Sequence, residues 1–349
     1  MAKKFLGGRK ISGQFFDDVA EPILASTLPR LGYSAALIGP GSEVLGFDTE
    51  ISTDHDWRPR FFVFLSEADL RAHGKDVETA MRTKLPETYR GYSVRPTKEM
   101  GDLRSRYVYS VNGFLKQYLT IRSTNLSVED WLTVDEHRLL GVTSGTIFRD
   151  DGHVLELALE VFRYYPRDVW LYLIASQWAK IAEEEAFVGR AGETGDELGS
   201  QIIATRIVQS LMRLCFLMEQ AYVPYSKWFG AAFKKLRCGK SAYPIFEAVL
   251  SASTWKEREQ ALSKAYAATV RMHNRLSLTG HVSPTVRQYH ERPYRVIGAY
   301  EIAHAVQDHI KDPALRARPL TGSVNQFSDS AVLVENDRLR RKLKTLYRS

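Results

Sequence analysis

The residues best suited to chemistry are Asp54 and Asp56, two carboxylates one residue apart in LIGPGSEVLGFDTEISTDHDWRPRFFVFL (Leu37–Leu65). Read as the mouth of a strand, this stretch puts Asp54 and Asp56 on one face and His55 on the other. Two ionised carboxylates about 5 Å apart repel by under ~1 kcal/mol in water, and several-fold more where the effective dielectric falls toward ~20. Protonating one of them relieves that cost, and so does a divalent cation between them. Hard oxygen ligands on a half-open site suit magnesium, which keeps waters and takes up phosphate oxygens. The plain alternative is a solvated acidic loop.

Upstream, the apolar run YSAALIGPGS stops at Gly39-Pro40-Gly41, which reads as a buried strand entering a tight turn. Glycine after a buried strand exposes backbone N–H groups, and a helix starting there turns its positive end toward phosphate. Two familiar phosphate motifs fail. A Walker A loop wants Gly-Lys-Ser/Thr, but Gly46 precedes Phe47-Asp48; the dinucleotide fingerprint wants glycine at 44, which is Val44. What stands is Gly41-Ser42, eleven residues, then Asp54-x-Asp56.

The elements around these residues follow from periodicity. A helix is expected from Ser12, as N-cap, to about Leu28, with strands at WRPRFFVFL, YRGYSVRP and RYVYSVNGFL and a helix over EADLRAHGKDVETAMRTKL. Beyond residue 125 helical spacing takes over: DVWLYLIASQWAKIAEEEAFVGR, DELGSQIIATRIVQSLMRLCFLMEQAY, YSKWFGAAFKKL, STWKEREQALSKAYAATVRMHNRL and RPYRVIGAYEIAHAVQDHI. The fold class expected is α+β, a small mixed-sheet head over 1–125 followed by a helical bundle over 126–349.

Composition narrows the partners. The 349 residues carry a net charge of +7, but Lys3, Lys4, Arg9, Lys10 and the tail from Glu335 account for all of it, leaving the body near neutral. Solvated ends explain that pattern, so a basic surface tracking nucleic acid is not expected. Two cysteines, Cys215 and Cys238, make neither a disulfide framework nor a zinc cluster. The N-terminus lacks the apolar core of a signal peptide, and no run of about 18 apolar residues appears, so a cytoplasmic chain without a membrane span is expected. Four histidines, His273, His281, His290 and His304, match no ligand spacing.

In the helical half, the stripe Ile174, Trp178, Ile181 runs on to Glu185 and Val188, which places Glu185 on a buried face beside Glu184. An acid there has a raised pKa, as catalytic bases do, or a partner such as Arg190 or Arg206. Arg190 also opens the glycine-rich GRAGETGDELGS, which either approaches a ligand or joins two helices. Lys227, in the first turn after Pro224, opposes the helix dipole unless an anion is near; otherwise its stem covers Trp228.

The Gly-Ser, short helix, Asp-x-Asp pattern resembles the minimal nucleotidyltransferase of the DNA polymerase β superfamily. More closely, GSEVLGFDTEISTDHDW, EEEAFVGRAGETGDELGS, LMRLCFLMEQAYVPYSKW and QFSDS resemble the DUF4037 family. The resemblance implies that Gly41 and Ser42, with Lys227 and Arg190, hold a nucleoside triphosphate while Asp54 and Asp56 bind two Mg2+ ions. It implies transfer of a nucleoside monophosphate to a hydroxyl of a small-molecule acceptor, with Glu184 or Glu185 as base. Superfamily enzymes add a third carboxylate, expected here near Tyr109 or Ser110, and neither is acidic; Asp48 and Glu50 are nearer in sequence. The alternative is a catalytically degenerate fold that senses a nucleotide or docks a protein.

Overall fold

The computed structural model describes residues 5–54, 57–95, 103 and 105–347. The chain divides into two compact units, one of residues 1–126 with 134–163 and one of residues 127–133 with 164–349. The expected boundary at 125/126 thus misses 134–163. That segment carries strand β6 (Thr146–Asp150), which pairs antiparallel with β1 (Ser34–Leu37) and so completes the first unit's sheet.

That sheet has the order β5-β2-β1-β6, where β2 is Phe62–Leu65 and β5 is Val108–Ser110. β1 and β2 are antiparallel, β2 and β5 parallel, so the sheet is mixed. A small hairpin, β3 (Thr88–Tyr89) and β4 (Tyr92–Ser93), stands apart from it. β2 is buried on both faces, which explains its unbroken apolar run. Val63 and Leu65 join Phe15, Phe16 and Leu24 of the N-terminal helices and Val77 and Met81 of α4 (Glu67–Lys84) in one core. Phe62 and Phe64 point the other way, their rings 5.0 and 5.4 Å from Phe114.

The N-terminal helix begins earlier than its sequence suggests: α1 spans Gly8–Phe15, passes through a π-helical turn at Phe16–Ala20, and continues as α2 (Glu21–Thr27). Ser12 is therefore inside the helix, fully buried, and its Oγ accepts the Arg60 N–H at 3.2 Å instead of capping. Next come α3 (Ser42–Leu45), α4 and α5 (Val111–Tyr118).

The second unit is helical, as expected: α6 (Arg167–Ala182), α7 (Phe187–Glu193), α8 (Glu197–Met218), α9 (Ser226–Lys235), α10 (Gly239–Leu250), α11 (Trp255–Arg275) and α12 (Ala299–Gln307). α6 is buried along nearly its whole length between α8 and α12, so it is apolar all round rather than striped. α8 is long and apolar enough to cross a membrane, and more than half of that apolar window is buried within the protein. Packing against α6, α7, α10 and α11 accounts for its composition.

One expectation is corrected in this unit. RPYRVIGAYEIAHAVQDHI is not one helix: Arg292–Val296 is strand β8, paired with β7 (Arg287–Tyr289), and the helix starts only at Ala299. Gly298, at φ +75°, is the break between them. The C-terminal tail forms a helix, Asp337–Leu343, whose residues are mostly exposed or half-buried but which is tied to the rest of the unit. Arg340 is buried, Lys344 pairs with Asp130, and the buried Tyr347 hydroxyl donates to Gly322 O at 2.7 Å.

Within the bundle, His273 is fully buried, with its Nε2 3.0 Å from Thr279 Oγ1 and its ring edge-on to Trp178. Burial pushes its pKa from 6.5 down to about 4. Between those values the unfolded chain takes up a proton that the folded chain refuses. The stability due to the neutral ring is fully present above pH ~6.5 and lost as pH falls toward ~4, on the order of 3 kcal/mol. Urea denaturation from pH 7 to 4 is expected to show this loss, and His273→Gln, which cannot titrate, should flatten that part of the curve.

Candidate functional site

The turn from β1 into α3 is built to leave backbone accessible. Gly39 takes φ +89° and donates its N–H to Gly141 O at 2.9 Å. Gly41 takes φ +134°, where a Cβ would fall 2.4 Å from Glu43 Oε1. Only glycine tolerates that backbone and that neighbour together. α3 is a single turn ended by Gly46 at φ +70°. Arg9 donates to Val44 O at 2.5 Å and also to Ser144 O.

The floor of the turn is a buried ion pair that the sequence reading missed. Arg60 is 1% exposed; its Nε and Nη2 each lie 2.9 Å from Glu43 Oε1, and it also donates to Pro40 O. The available sequence signal was slight: an arginine at the doorstep of an apolar strand and a glutamate directly after Gly-Ser. Arg58, two residues earlier, is buried as well and donates to Val94 O at 2.6 Å. Asp48 Oδ2 accepts from Gly8 N at 2.6 Å and Trp57 Nε1 at 3.1 Å, which closes the loop from the other side.

Asp54 is not on a strand. It is the last residue of a 3-10 helix, Glu50–Asp54, and β2 begins only at Phe62. The same-face argument drawn from strand alternation therefore does not hold for it. His55 and Asp56 lie outside the described residues. The register Ala36↔Phe62 brings the chain that follows them into the sheet at the end of β1 from which the Gly-Ser turn departs. Arg60 ties the two together through Glu43 and Pro40. At the position expected for a third acid, Ser110 caps α5 by accepting Gly113 N at 3.1 Å, and the Tyr109 hydroxyl donates to Leu103 O at 2.6 Å.

The candidates of the helical unit have definite neighbours. Glu185 is buried, and its carboxylate accepts from Ile297, Gly298 and Ala299 N–H at 2.8, 3.2 and 3.2 Å, capping α12. Burial pushes its pKa up, against the pull of those three N–H groups. Glu184 pairs with Arg206, and burial raises its pKa also. Arg190 lies 5.2 Å over the Phe187 ring, and Lys227 Nζ 4.9 Å over the Trp228 ring. Two of the four glycines of GRAGETGDELGS serve packing: Gly192 faces Trp255 and Gly189 faces Tyr294, each too closely for a Cβ, whereas Gly195 takes φ +83° with nothing near its Cβ position.

Glu185→Gln leaves one carbonyl oxygen for three N–H groups, and a loss of about 1–2 kcal/mol in denaturant stability is expected. A capping role also requires that the folded fraction of this variant retain the properties of the parent chain.

Among the described residues, Asp150, His153 and Glu156 form a group whose ligand atoms lie within 4.8 Å of one another. Local capping accounts for it. Asp150 accepts from Ser34 Oγ, Leu155 N and Glu156 N at 2.6, 3.0 and 2.9 Å, while His153 Nδ1 sits 3.0 Å from Glu156.

No curated protein matches the chain. A solved structure, the crystal structure of a nucleotidyltransferase-like protein from Exiguobacterium sibiricum 255-15, is 14% identical, with a TM-score of 0.33 over 75% of this chain and 79% of that one. Residues 131–229 match the family model described as a domain of unknown function, DUF4037. That match covers α6 through the start of α9 and leaves the Gly-Ser and Asp-x-Asp stretches outside it. The DUF4037 resemblance read from the sequence is borne out over residues 131–229.

Proposed function

We propose that this protein is a metal-dependent nucleotidyltransferase. The observation that carries the proposal is the link from Arg60 to Glu43 and Pro40. It fixes the exit of the Asp54–Asp56 loop to the strained turn at Gly41-Ser42. The donor set suits magnesium, since Asp54 and Asp56 offer hard oxygens and Gly41 has no Cβ where a phosphate would approach. When bound, two Mg2+ ions would neutralise charge on the triphosphate and on the leaving pyrophosphate.

The chain's own residues supply the rest. Asp54 and Asp56 would hold the ions, and Gly41 N–H and Ser42 would receive the terminal phosphates. An acceptor hydroxyl forms a bond to the α-phosphorus as the α–β phosphoanhydride bond breaks and pyrophosphate leaves. Glu185 spends its oxygens on backbone N–H groups and Glu184 is paired with Arg206, so neither is assigned as the proton acceptor, and the hydroxyl proton passes to solvent. The near-neutral body favours a small-molecule acceptor over nucleic acid and a cytoplasmic enzyme over a membrane-bound one.

The test is pyrophosphate release from ATP, GTP, CTP and UTP against a panel of hydroxylated metabolites, with magnesium and with chelator. Release that requires both magnesium and an acceptor supports the assignment. A second reading, a degenerate fold that senses nucleotide, is favoured by Ser110 standing where an acid would complete the site. It predicts magnesium-dependent thermal stabilisation by a triphosphate without turnover.

A further inference from the structure

Cys215 and Cys238, the only cysteines of the chain, stand on different elements of the helical unit and come to one place. Cys215 lies in the last turn of α8. Glu219, whose N–H donates to Cys215 O at 3.0 Å, follows one turn later on the same face. The Glu219 carboxylate, its side chain 9% exposed, clamps the start of α10: Oε2 accepts Arg237 N and Oε1 accepts Cys238 N, each at 2.8 Å. Cys238 is thereby fixed as the N-cap of α10 against the face of α8 that carries Cys215. The two thiols are in hydrogen-bond contact, and that contact, with burial, holds the Cys215 pKa well above the usual thiol value.

Their surroundings differ. Cys215 is fully buried, and its thiol donates to Met272 Sδ at 3.8 Å. Cys238 keeps 7% of its surface in water, beside the exposed Arg237 and Lys240. The first sulfur is shut off from solutes, while the second is open to one as small as hydrogen peroxide. Sulfurs already in contact need only close to the ~2 Å of an S–S bond.

We propose that Cys215 and Cys238 form a reversible disulfide with hydrogen peroxide as the oxidant, Cys238 being the attacking sulfur and Cys215 the resolving one. The Cys238 sulfur forms a bond to one peroxide oxygen as the O–O bond breaks, and its thiol proton leaves with the other oxygen as water. The Cys215 sulfur then attacks that of Cys238: the S–S bond forms, the S–O bond breaks, and hydroxide leaves with the Cys215 proton as a second water. Two thiols are oxidised and one peroxide is reduced. The bond ties the end of α8 to the start of α10 and closes α9, which carries Lys227, into a covalent loop. It uses none of Gly41, Ser42, Asp54 or Asp56, so it stands apart from the reading above.

The folded full chain is treated with peroxide, quenched with catalase, unfolded in a thiol-alkylating agent, and read by intact mass and peptide mapping. Three results are expected: loss of both alkylation sites, a peptide joining Cys215 to Cys238 in a chain still monomeric without reductant, and return of both sites with dithiothreitol. In Cys238→Ser, Cys215 should stay alkylatable under the same treatment. In Cys215→Ser, a sulfenic acid on Cys238 should be trapped by dimedone. Thiols that survive peroxide in the parent chain, or links formed only between chains, overturn the proposal without need of any variant. Oxidation of Cys215 as fast in Cys238→Ser as in the parent overturns it too.

Discussion

Replacing Asp54 and Asp56 together by asparagine is expected to lower magnesium-dependent turnover of a nucleoside triphosphate by roughly 10³-fold or more. Asparagine keeps the volume and one carbonyl oxygen but removes the charge that holds a divalent ion. A metal clamp on a phosphoryl centre supplies several kcal/mol of transition-state stabilisation, and each 1.36 kcal/mol is about tenfold in rate. Asp54 ends a 3-10 helix whose preceding residues are exposed or half-buried, so the double variant should melt within a few degrees of the parent without ligand. Steady-state pyrophosphate release together with a ligand-free melt checks both halves. Turnover that survives the double substitution removes the metal role from these residues.

The largest stability effect is expected from Arg60→Met. Glu43 and Arg60 are both within 1% of full burial, and removing the guanidinium strands a carboxylate with no water to take its place. Breaking a buried pair by deleting one member costs about 3–5 kcal/mol, whereas replacing both partners by uncharged groups of similar volume is far milder. Glu43→Gln with Arg60→Met should therefore recover much of the loss in urea denaturation. The Pro40 carbonyl loses its donor in either case. Nucleotide-dependent stabilisation should then stay weak in the double variant even where the fold returns. A fold loss as large in the double variant as in Arg60→Met would mean that packing, not charge, sets the role of this residue.

Much of this fold was legible in the sequence because burial writes itself as periodicity. β1 and β2 are short apolar runs bounded by glycine, proline or charge, and α8 and α11 keep a helical stripe for five or six turns. β6 was not legible: it is an edge strand, TIFRD, largely half-buried, and it reaches β1 across more than a hundred residues. The break at Gly298 was hidden because RPYRV and AYEIAHAV are both apolar enough to pass for one helix.

For the site, residue type and order identified Gly41-Ser42 and the acidic pair. They did not reveal that Asp54 precedes β2 by a loop, or that Arg60 and Glu43 underlie the turn, because an ion pair across seventeen residues leaves no periodic trace. Glu185 was placed on a buried face by its spacing, but the partners it meets are backbone N–H groups of a segment over a hundred residues away, which no local pattern announces.

The central claim is that a cation and a nucleotide's phosphates share the space between the Gly41-Ser42 turn and the Asp54–Asp56 loop. Crystals grown with Mn2+ and an α,β-methylene nucleoside triphosphate test it most directly, because manganese reports its own position by anomalous scattering. The account predicts anomalous peaks within bonding distance of both Asp54 and Asp56, with the terminal phosphates against Gly41 N–H and Ser42. Manganese and nucleotide bound elsewhere, or Asp54 and Asp56 directed away from a phosphate that does occupy the turn, would contradict it.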